Sequence, residues 1–123
     1  MGDVMATQKR PITGLVVASA LIFCSSAYAD IDAAGYYSMR CSSCHGARGE
    51  GTDNVAPSLG PPLRGNALVQ NAPVQVIAQI IRRGRSGKAR IYNSHYPNMP
   101  AFGPEAVPDV EALVAYLKGP LQQ

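Results

Sequence analysis

The stretch RCSSCHG, residues 40–46, brings together two of the three cysteines and one of the two histidines in the chain. Cys41 and Cys44 stand three positions apart, and His45 follows the second cysteine directly. On a helix or a tight turn, positions i, i+3 and i+4 lie on one face. The stretch therefore places two sulfur atoms and one imidazole on the same side of the backbone.

Three interpretations of this motif leave part of it unexplained. A disulfide between Cys41 and Cys44 would close too small a loop to restrict the unfolded chain much, and it would leave His45 without a role. A thioredoxin-like dithiol would need a preceding strand, whereas the residues before Cys41 are predicted to be helical. A zinc site would need two more ligands, and residues 30–123 contain no further cysteine and only His95 as a further histidine.

A fourth interpretation, covalent haem attachment, uses all three side chains. The pattern C-x-x-C-H is the attachment signature of c-type haem. The thiols of Cys41 and Cys44 would each add to one vinyl group along one edge of the ring, and His45 would ligate the iron. The sequence therefore predicts one haem c held by two thioether bonds, with His45 as the first axial ligand.

The second axial position of the iron needs a ligand from elsewhere in the chain, and the candidates are Met39, His95 and Met99. Met39 is only two residues before Cys41 and cannot reach the far face of the ring. Met99 lies in a proline-flanked loop between two predicted helices, so we expect it to be the ligand. His95 and an open or water-bound position remain the alternatives. A thioether raises the reduction potential relative to a second imidazole, and a filled position favours electron transfer over catalysis at the iron.

The first 29 residues have the pattern of a cleaved secretory signal. Two basic residues at positions 9 and 10 precede a short apolar run at 15–24, and small residues at 27 and 29 mark a cleavage site after Ala29. The apolar run is about half of the roughly 20 residues that a spanning helix needs, although a retained anchor or a lipid-modified Cys24 is an alternative. We expect export to the periplasm as a 94-residue chain, residues 30–123, that does not span the membrane.

The 94 residues are predicted to form one all-α domain. Helical periodicity and end signals mark three segments, which are residues 33–44, 73–83 and 108–118. The loops between them, 46–65 and 84–108, are rich in Gly and Pro and make up about half of the domain. Loops of this length in a small domain need something to organise them, and a large ligand would do so. Nine basic and seven acidic residues remain after cleavage, too small an excess to indicate a nucleic-acid partner.

At this point the domain resembles the small bacterial monohaem class I cytochromes c over nearly its whole length. That family has a small residue eight positions before the first cysteine and an aromatic residue four positions before it. Here these positions are Ala33, where glycine is usual, and Tyr37; residues 41–46 match C-x-x-C-H-G, and Tyr116 matches an aromatic of the last helix. The resemblance implies the cytochrome c fold, with Tyr37 and Tyr116 packed where the first and last helices cross.

Two loop patterns extend the resemblance. Residues 60–65 match G-P-x-L-x-G, and residues 99–103 match the family's methionine loop, M-P-A-F-G. In the family, the proline carbonyl of the first pattern accepts the Nδ1 hydrogen of the haem histidine. This makes Pro61 the candidate acceptor here, with Pro57 as an alternative register. Such a bond orients the imidazole and raises its basicity.

The segment between the middle helix and the methionine loop is long, and it leaves open whether Tyr92 or Tyr96 lies near the haem. Residues 82–90 (RRGRSGKAR), which span the end of the middle helix and the start of this segment, carry five positive charges and no negative charge. The simplest interpretation is a solvated loop after a helix C-terminus. A second hypothesis is a docking surface for an acidic redox partner, which would raise the association rate and weaken at high salt.

The resemblance and the two axial ligands imply an electron-transfer protein and not an enzyme. We expect a monomeric periplasmic carrier that cycles one haem c between a dehydrogenase or reductase donor and a terminal acceptor such as an oxidase. One alternative is a haem c subunit bound tightly in a dehydrogenase complex. A less favoured alternative is a gas-binding or sensing haem protein with a displaceable Met99.

Overall fold

The computed structural model of the chain describes Gly2, residues 32–92 and residues 96–123. Except for Gly2, the predicted export signal lies outside the described residues, and so does His95. The described part of the chain forms helices and turns and contains no strand, which confirms the all-α prediction. Its helices are α1 (Ala33–Arg40), α2 (Ser42–His45), α3 (Ala67–Asn71), α4 (Val74–Arg83) and α5 (Val110–Lys118), with 3₁₀ turns at Gly87–Ala89 and Pro120–Gln122.

The first predicted helix, residues 33–44, is divided in the structure at Cys41. Asp32 caps α1 as expected, accepting a hydrogen bond from the amide of Gly35 at 2.8 Å. The Ser42 hydroxyl donates to the carbonyl oxygen of Ser38 at 2.6 Å and so competes for the acceptor that the Ser42 amide would use in a continuous helix. Back-bonding of this kind bends helices, and it accounts for the interruption. The thiols and the imidazole therefore sit on a turn and a short helix.

The other two predicted helices begin slightly later than expected. Pro73 has an extended backbone and forms the N-cap of α4, so the helix starts at Val74 and not at Pro73. Asp109 caps α5 by accepting a hydrogen bond from the amide of Ala112 at 2.8 Å. Both helices end at the expected residues, and a glycine follows each.

Helix α3 was not predicted, because five residues are too few for a periodic pattern to emerge. Its N-terminus is capped by Asn66, whose side-chain oxygen accepts from the amides of Leu68 and Val69 at 2.9 and 3.3 Å. At its other end, Lys118 of α5 donates to three main-chain carbonyls. A cap and a distant lysine thus stabilise a helix that local propensity alone would not.

The core lies between α1, α4 and α5, with Val69, Val107 and Leu121 added from outside these three helices. Nine hydrophobic residues of the described chain are buried: Tyr37, Val69, Ile77, Ile81, Val107, Leu113, Val114, Leu117 and Leu121. The rings of Tyr37 and Tyr116 lie 5.7 Å apart between centroids, which confirms the predicted packing of the first helix against the last. The Tyr37 hydroxyl also donates to the carbonyl oxygen of Gly46 at 2.6 Å, and so holds the end of the C-x-x-C-H-G motif against the core.

The helices are short compared with the thickness of a bilayer. The longest described helix, α4, has ten residues, whereas a span needs roughly 20. Across residues 32–92 and 96–123, no helix has both the length and the apolar character needed to cross a membrane.

Candidate cofactor site

Cys41 and Cys44 are both free thiols and both are partly buried. Cys41 lines a large cavity, and burial raises the pKa of its thiol to about 11, with the neighbouring Cys44 adding to the shift. Redox-active dithiols work through a lowered pKa, because the thiolate is the reactive form. The environment of Cys41 therefore argues against the dithiol interpretation.

His45 lines the same cavity as Cys41. Its Nδ1 atom lies 2.8 Å from the carbonyl oxygen of Pro61. Because a carbonyl only accepts, this contact places the hydrogen on Nδ1 and leaves Nε2 with a free lone pair. Burial lowers the pKa of His45, and the bond to Pro61 opposes that effect in part. The structure thus holds a neutral imidazole whose second nitrogen is available to a metal.

The loop that carries Pro61 is fixed to the motif by Thr52, which the sequence did not single out. The Thr52 hydroxyl oxygen accepts from the amides of Leu59 and Gly60 at 2.8 and 3.0 Å, and it lies 3.1 Å from the carbonyl oxygen of Cys44. Gly60 is buried, and a methyl group there would lie 3.1 Å from His45 Nδ1. This close approach places Pro61, and not Pro57, against the imidazole.

Met99 lines the same cavity, half-buried, although it lies 54 residues after His45 in the sequence. Its amide donates to the carbonyl oxygen of Arg85 and its carbonyl accepts from the amide of Arg85, both at 3.0 Å. Met39, by contrast, is 59 % exposed on α1. Of the three candidate second ligands, the structure brings Met99 to the cavity that contains His45; His95 falls outside the described residues.

The cavity is a mostly apolar cleft with about 880 Å³ of atom-free space, part of it open solvent. Aliphatic side chains from the Pro61 loop, α3, α4 and α5 form its walls: Leu63, Leu68, Val69, Ile77, Ile80, Ile81 and Leu117. Besides His45, its charged or amide groups are Asn66, Arg85 and Arg90. The cleft thus combines an apolar interior with two guanidinium groups.

The sequence left open whether Tyr92 or Tyr96 lies near the haem. In the structure both side chains line the cavity. Their rings meet edge to face with centroids 5.6 Å apart. The Tyr96 hydroxyl donates to Asp53 at 2.7 Å, which connects the segment just before the methionine loop to the loop that follows the C-x-x-C-H-G motif. This hydrogen bond raises the pKa of Tyr96 to about 12, since the neighbouring carboxylate disfavours the phenolate.

The five cations of the basic run, residues 82–90, differ in their exposure and in their hydrogen bonds. Arg82 is partly buried and donates to the carbonyl oxygens of Phe102 and Val107 at 3.2 and 2.7 Å. Arg85 donates to Ala89, and Arg90 to the carbonyl oxygens of Tyr92 and Tyr96. The remaining cations, Arg83 and Lys88, are exposed. Three of the five charges therefore hydrogen-bond to main-chain carbonyls of the loop 84–108.

The donor set fits a haem better than a bare metal ion. Among residues 32–92 and 96–123, no group of three or more His, Cys, Asp or Glu side chains could hold a metal, which disfavours the zinc interpretation. The cavity instead offers one imidazole nitrogen, one thioether and a thiol at its wall, with an apolar interior for a ring. Arg85 and Arg90 would suit the two carboxylates of a haem.

The comparisons with known proteins agree with this chemistry. Residues 31–117 match the model of the family described as cytochrome C oxidase, cbb3-type, subunit III. No curated protein matches the chain.

Proposed function

Because the chain belongs to the monohaem cytochrome c family described as cytochrome C oxidase, cbb3-type, subunit III, we propose that it is an exported one-electron carrier of the periplasm. Cytochromes c of this kind transfer electrons through haem. In the proposal, one haem c is attached to Cys41 and Cys44, and its iron is ligated by His45 and Met99. The observation that carries the proposal is that His45 and Met99, 54 residues apart, line one apolar cavity.

When bound, the haem supplies an iron that accepts and releases one electron. The residues of the chain determine how readily it does so. The bond from His45 Nδ1 to Pro61 orients the imidazole and raises its basicity as a ligand. The Met99 thioether is neutral and favours the reduced state relative to a second imidazole. The aliphatic walls exclude water, which disfavours the extra positive charge of the oxidised state.

With both His45 and Met99 holding the iron, no coordination position would remain for a substrate, which supports electron transfer over catalysis at the iron. The donor in this proposal is a dehydrogenase or reductase, and the acceptor is an oxidase or another redox protein. A monomer suits a carrier of this kind, because it must form and leave short-lived complexes with two different partners.

The description of the family supports a second candidate function. A chain that resembles a subunit of a cbb3-type oxidase could serve as the haem c subunit of a larger redox complex, either an oxidase or the dehydrogenase complex considered above. Co-purification of the tagged, exported protein with a large redox enzyme at moderate salt would favour this subunit role. Recovery of the protein alone, with rapid electron transfer to added partners, would favour the free carrier.

The covalent attachment and the export are tested together by mass spectrometry of the protein produced with a haem c maturation system. We expect a mass that corresponds to residues 30–123 plus one haem, retained after acid denaturation. The double variant Cys41→Ala, Cys44→Ala should lose the added mass, whereas Cys24→Ala, inside the proposed signal, should keep it. Haem that is released by acid from the wild type would refute the thioether bonds, and retention of residues 1–29 would refute cleavage.

A further inference from the structure

We infer that Gly84 is a positioning residue for Met99: its missing side chain allows the methionine loop to lie directly against the end of α4. The inference rests on the proposed ligation of the iron by Met99. It concerns a residue that touches neither the cavity nor the proposed cofactor, and that acts only through the main chain of its neighbours.

The backbone of Gly84 has a conformation that suits only glycine. It has φ 67° and ψ −169°, and its amide donates to the carbonyl oxygen of Ile80 at 2.8 Å to close the last turn of α4. This combination of angles lies outside the left-handed helical region that Asn and Asp can adopt. Any side chain at this position would therefore strain the turn that leads to Arg85.

The methionine loop occupies the space that a side chain would need. A methyl group on Gly84 would lie 2.7 Å from the carbonyl carbon of Pro100 and 2.8 Å from the amide nitrogen of Ala101, and it would also collide with the carbonyl oxygen of Met99. Ordinary carbon contacts are about 3.5–4.0 Å. All three atoms belong to the main chain, so a rotamer change cannot relieve the collision.

The main chain next to this contact is held in register by hydrogen bonds. Arg85 and Met99 exchange two bonds of 3.0 Å, and the amide of Phe102 donates to the carbonyl oxygen of Ile81 at 3.0 Å. These bonds draw the two segments together, and the bare Gly84 sets how closely they can approach. The distance of the Met99 backbone from α4, and with it the reach of the thioether into the cavity, therefore depends on Gly84.

The variant Gly84→Ala tests this inference, and Gly87→Ala is its matched control. Gly87 also has a positive φ, 52°, and lies in the same loop, but a methyl group there would meet nothing within 4 Å. Both variants impose backbone strain, but only Gly84→Ala places a methyl group against the main chain of Met99.

In the haem-loaded protein, we expect Gly84→Ala to weaken the far-red sulfur-to-iron band. We also expect it to raise the affinity of the reduced form for carbon monoxide about tenfold, because the probe binds only when Met99 has detached.

Under the inference, Gly87→Ala keeps the band and the carbon monoxide affinity of the wild type even if both variants lower the unfolding midpoint. An equal spectral change in the two variants, or no change in Gly84→Ala, would overturn it while the Met99 assignment survives. A wild type without the band would overturn the ligand assignment and this inference together.

A measurement on the wild type covers the case in which Gly84→Ala fails to fold. The amide hydrogens of Met99 and Phe102 should exchange with solvent much more slowly than those of an open peptide, since the first donates to Arg85, just after α4, and the second to Ile81 in the last turn of α4. Exchange at the rate of an open peptide would show that the methionine loop is not held against α4, and it would overturn the inference.

Discussion

His45 joins two parts of the chain that are 16 residues apart, through its bond to the Pro61 carbonyl. The imidazole is partly buried, neutral and already oriented without a bound ligand, because Thr52 and Gly60 fix the loop that carries the acceptor. A ligand that is already oriented loses little conformational freedom on binding. The protein part of the site is thus largely assembled by contacts among its own residues.

Tyr96 offers a test at the residue level through the pH dependence of stability. The Asp53 carboxylate accepts its hydroxyl and raises the pKa of Tyr96 to about 12 from the ordinary value of 10. The contribution of this bond is therefore complete below pH 10 and is lost as the pH rises from 10 to about 12. We expect the stability advantage of the wild type over Tyr96→Phe, measured by urea unfolding of the haem-loaded protein, to shrink across that interval.

Tyr92→Phe is the control for this measurement. Tyr92 packs edge to face on Tyr96 but is 46 % exposed. Removal of the Tyr92 hydroxyl should leave the change in stability between pH 10 and 12 as it is in the wild type. A constant difference between wild type and Tyr96→Phe over this range would show that the bond to Asp53 does not hold the two loops together.

At the residue level, the sequence predicted some contacts and missed others. The packing of Tyr37 on Tyr116 could be predicted, because the resemblance supplied both partners. Thr52 and Gly84 could not be predicted. Their roles depend on the path of a loop that returns to within hydrogen-bond or van der Waals distance, and no local pattern encodes that path.

At the level of elements, Lys118 links α5 to α3. Its Nζ donates to the carbonyl oxygens of Val69, Gln70 and Ala72 at 2.9, 3.0 and 2.7 Å. These carbonyls lie at the C-terminal end of α3, where backbone acceptors lack helical partners and a positive charge is favourable. A side chain from the last helix therefore stabilises α3, whose Leu68 and Val69 line the cavity.

The variant Lys118→Met keeps most of the aliphatic stem and removes the donors. We expect it to lower the free energy of unfolding by about 2 kcal/mol, since three hydrogen bonds from a charged group are lost, two of them at partly buried carbonyls. Lys88→Met, at an exposed position in a 3₁₀ turn, should change it by less than about 0.5 kcal/mol. Equal effects of the two variants in denaturant titrations would contradict the proposed capping of α3.

The long helices were predictable from periodicity and caps, whereas α3 and the division at Cys41 were not. Helix α3 depends on Asn66 at one end and on Lys118, 46 residues beyond Ala72, at the other. The division at Cys41 depends on the Ser42 hydroxyl, which donates to the main-chain carbonyl oxygen of Ser38. Both features come from polar contacts that compete with helical periodicity and leave no trace in it.

At the level of the whole molecule, the cofactor cavity replaces much of the core that a larger domain would have. The described chain buries nine hydrophobic residues, and four of them (Val69, Ile77, Ile81 and Leu117) line the cleft. A domain of this size benefits from an added apolar group. The long loops 46–65 and 84–108, which looked unusual for a small domain, form much of the boundary of the cleft.

The charge on the surface can be tested separately from the fold. Arg83 and Lys88 are the exposed cations of the basic run, whereas Arg82 is bonded to Phe102 and Val107 and serves the structure. If this surface docks an acidic redox partner, Arg83→Glu with Lys88→Glu should slow bimolecular electron transfer about tenfold or more at low salt, and little at high salt. Stopped-flow kinetics with an acidic redox protein would measure this.

Arg40→Glu is the control, because Arg40 is an exposed cation at the end of α1 and outside the run. Its effect should be clearly smaller than that of the paired reversal. Rates that are the same for wild type and for the double variant at low salt would exclude these two residues from docking.

The central claim is that His45 and Met99 ligate one covalently held haem. The most direct test is the optical spectrum of the haem-loaded protein, reduced and oxidised, beside Met99→Ala and the exposed-residue control Met39→Ala. The account predicts a c-type haem spectrum in all three, and a far-red sulfur-to-iron band in the wild type and Met39→Ala that is absent from Met99→Ala. A wild type without that band, or a band that survives in Met99→Ala, would contradict it.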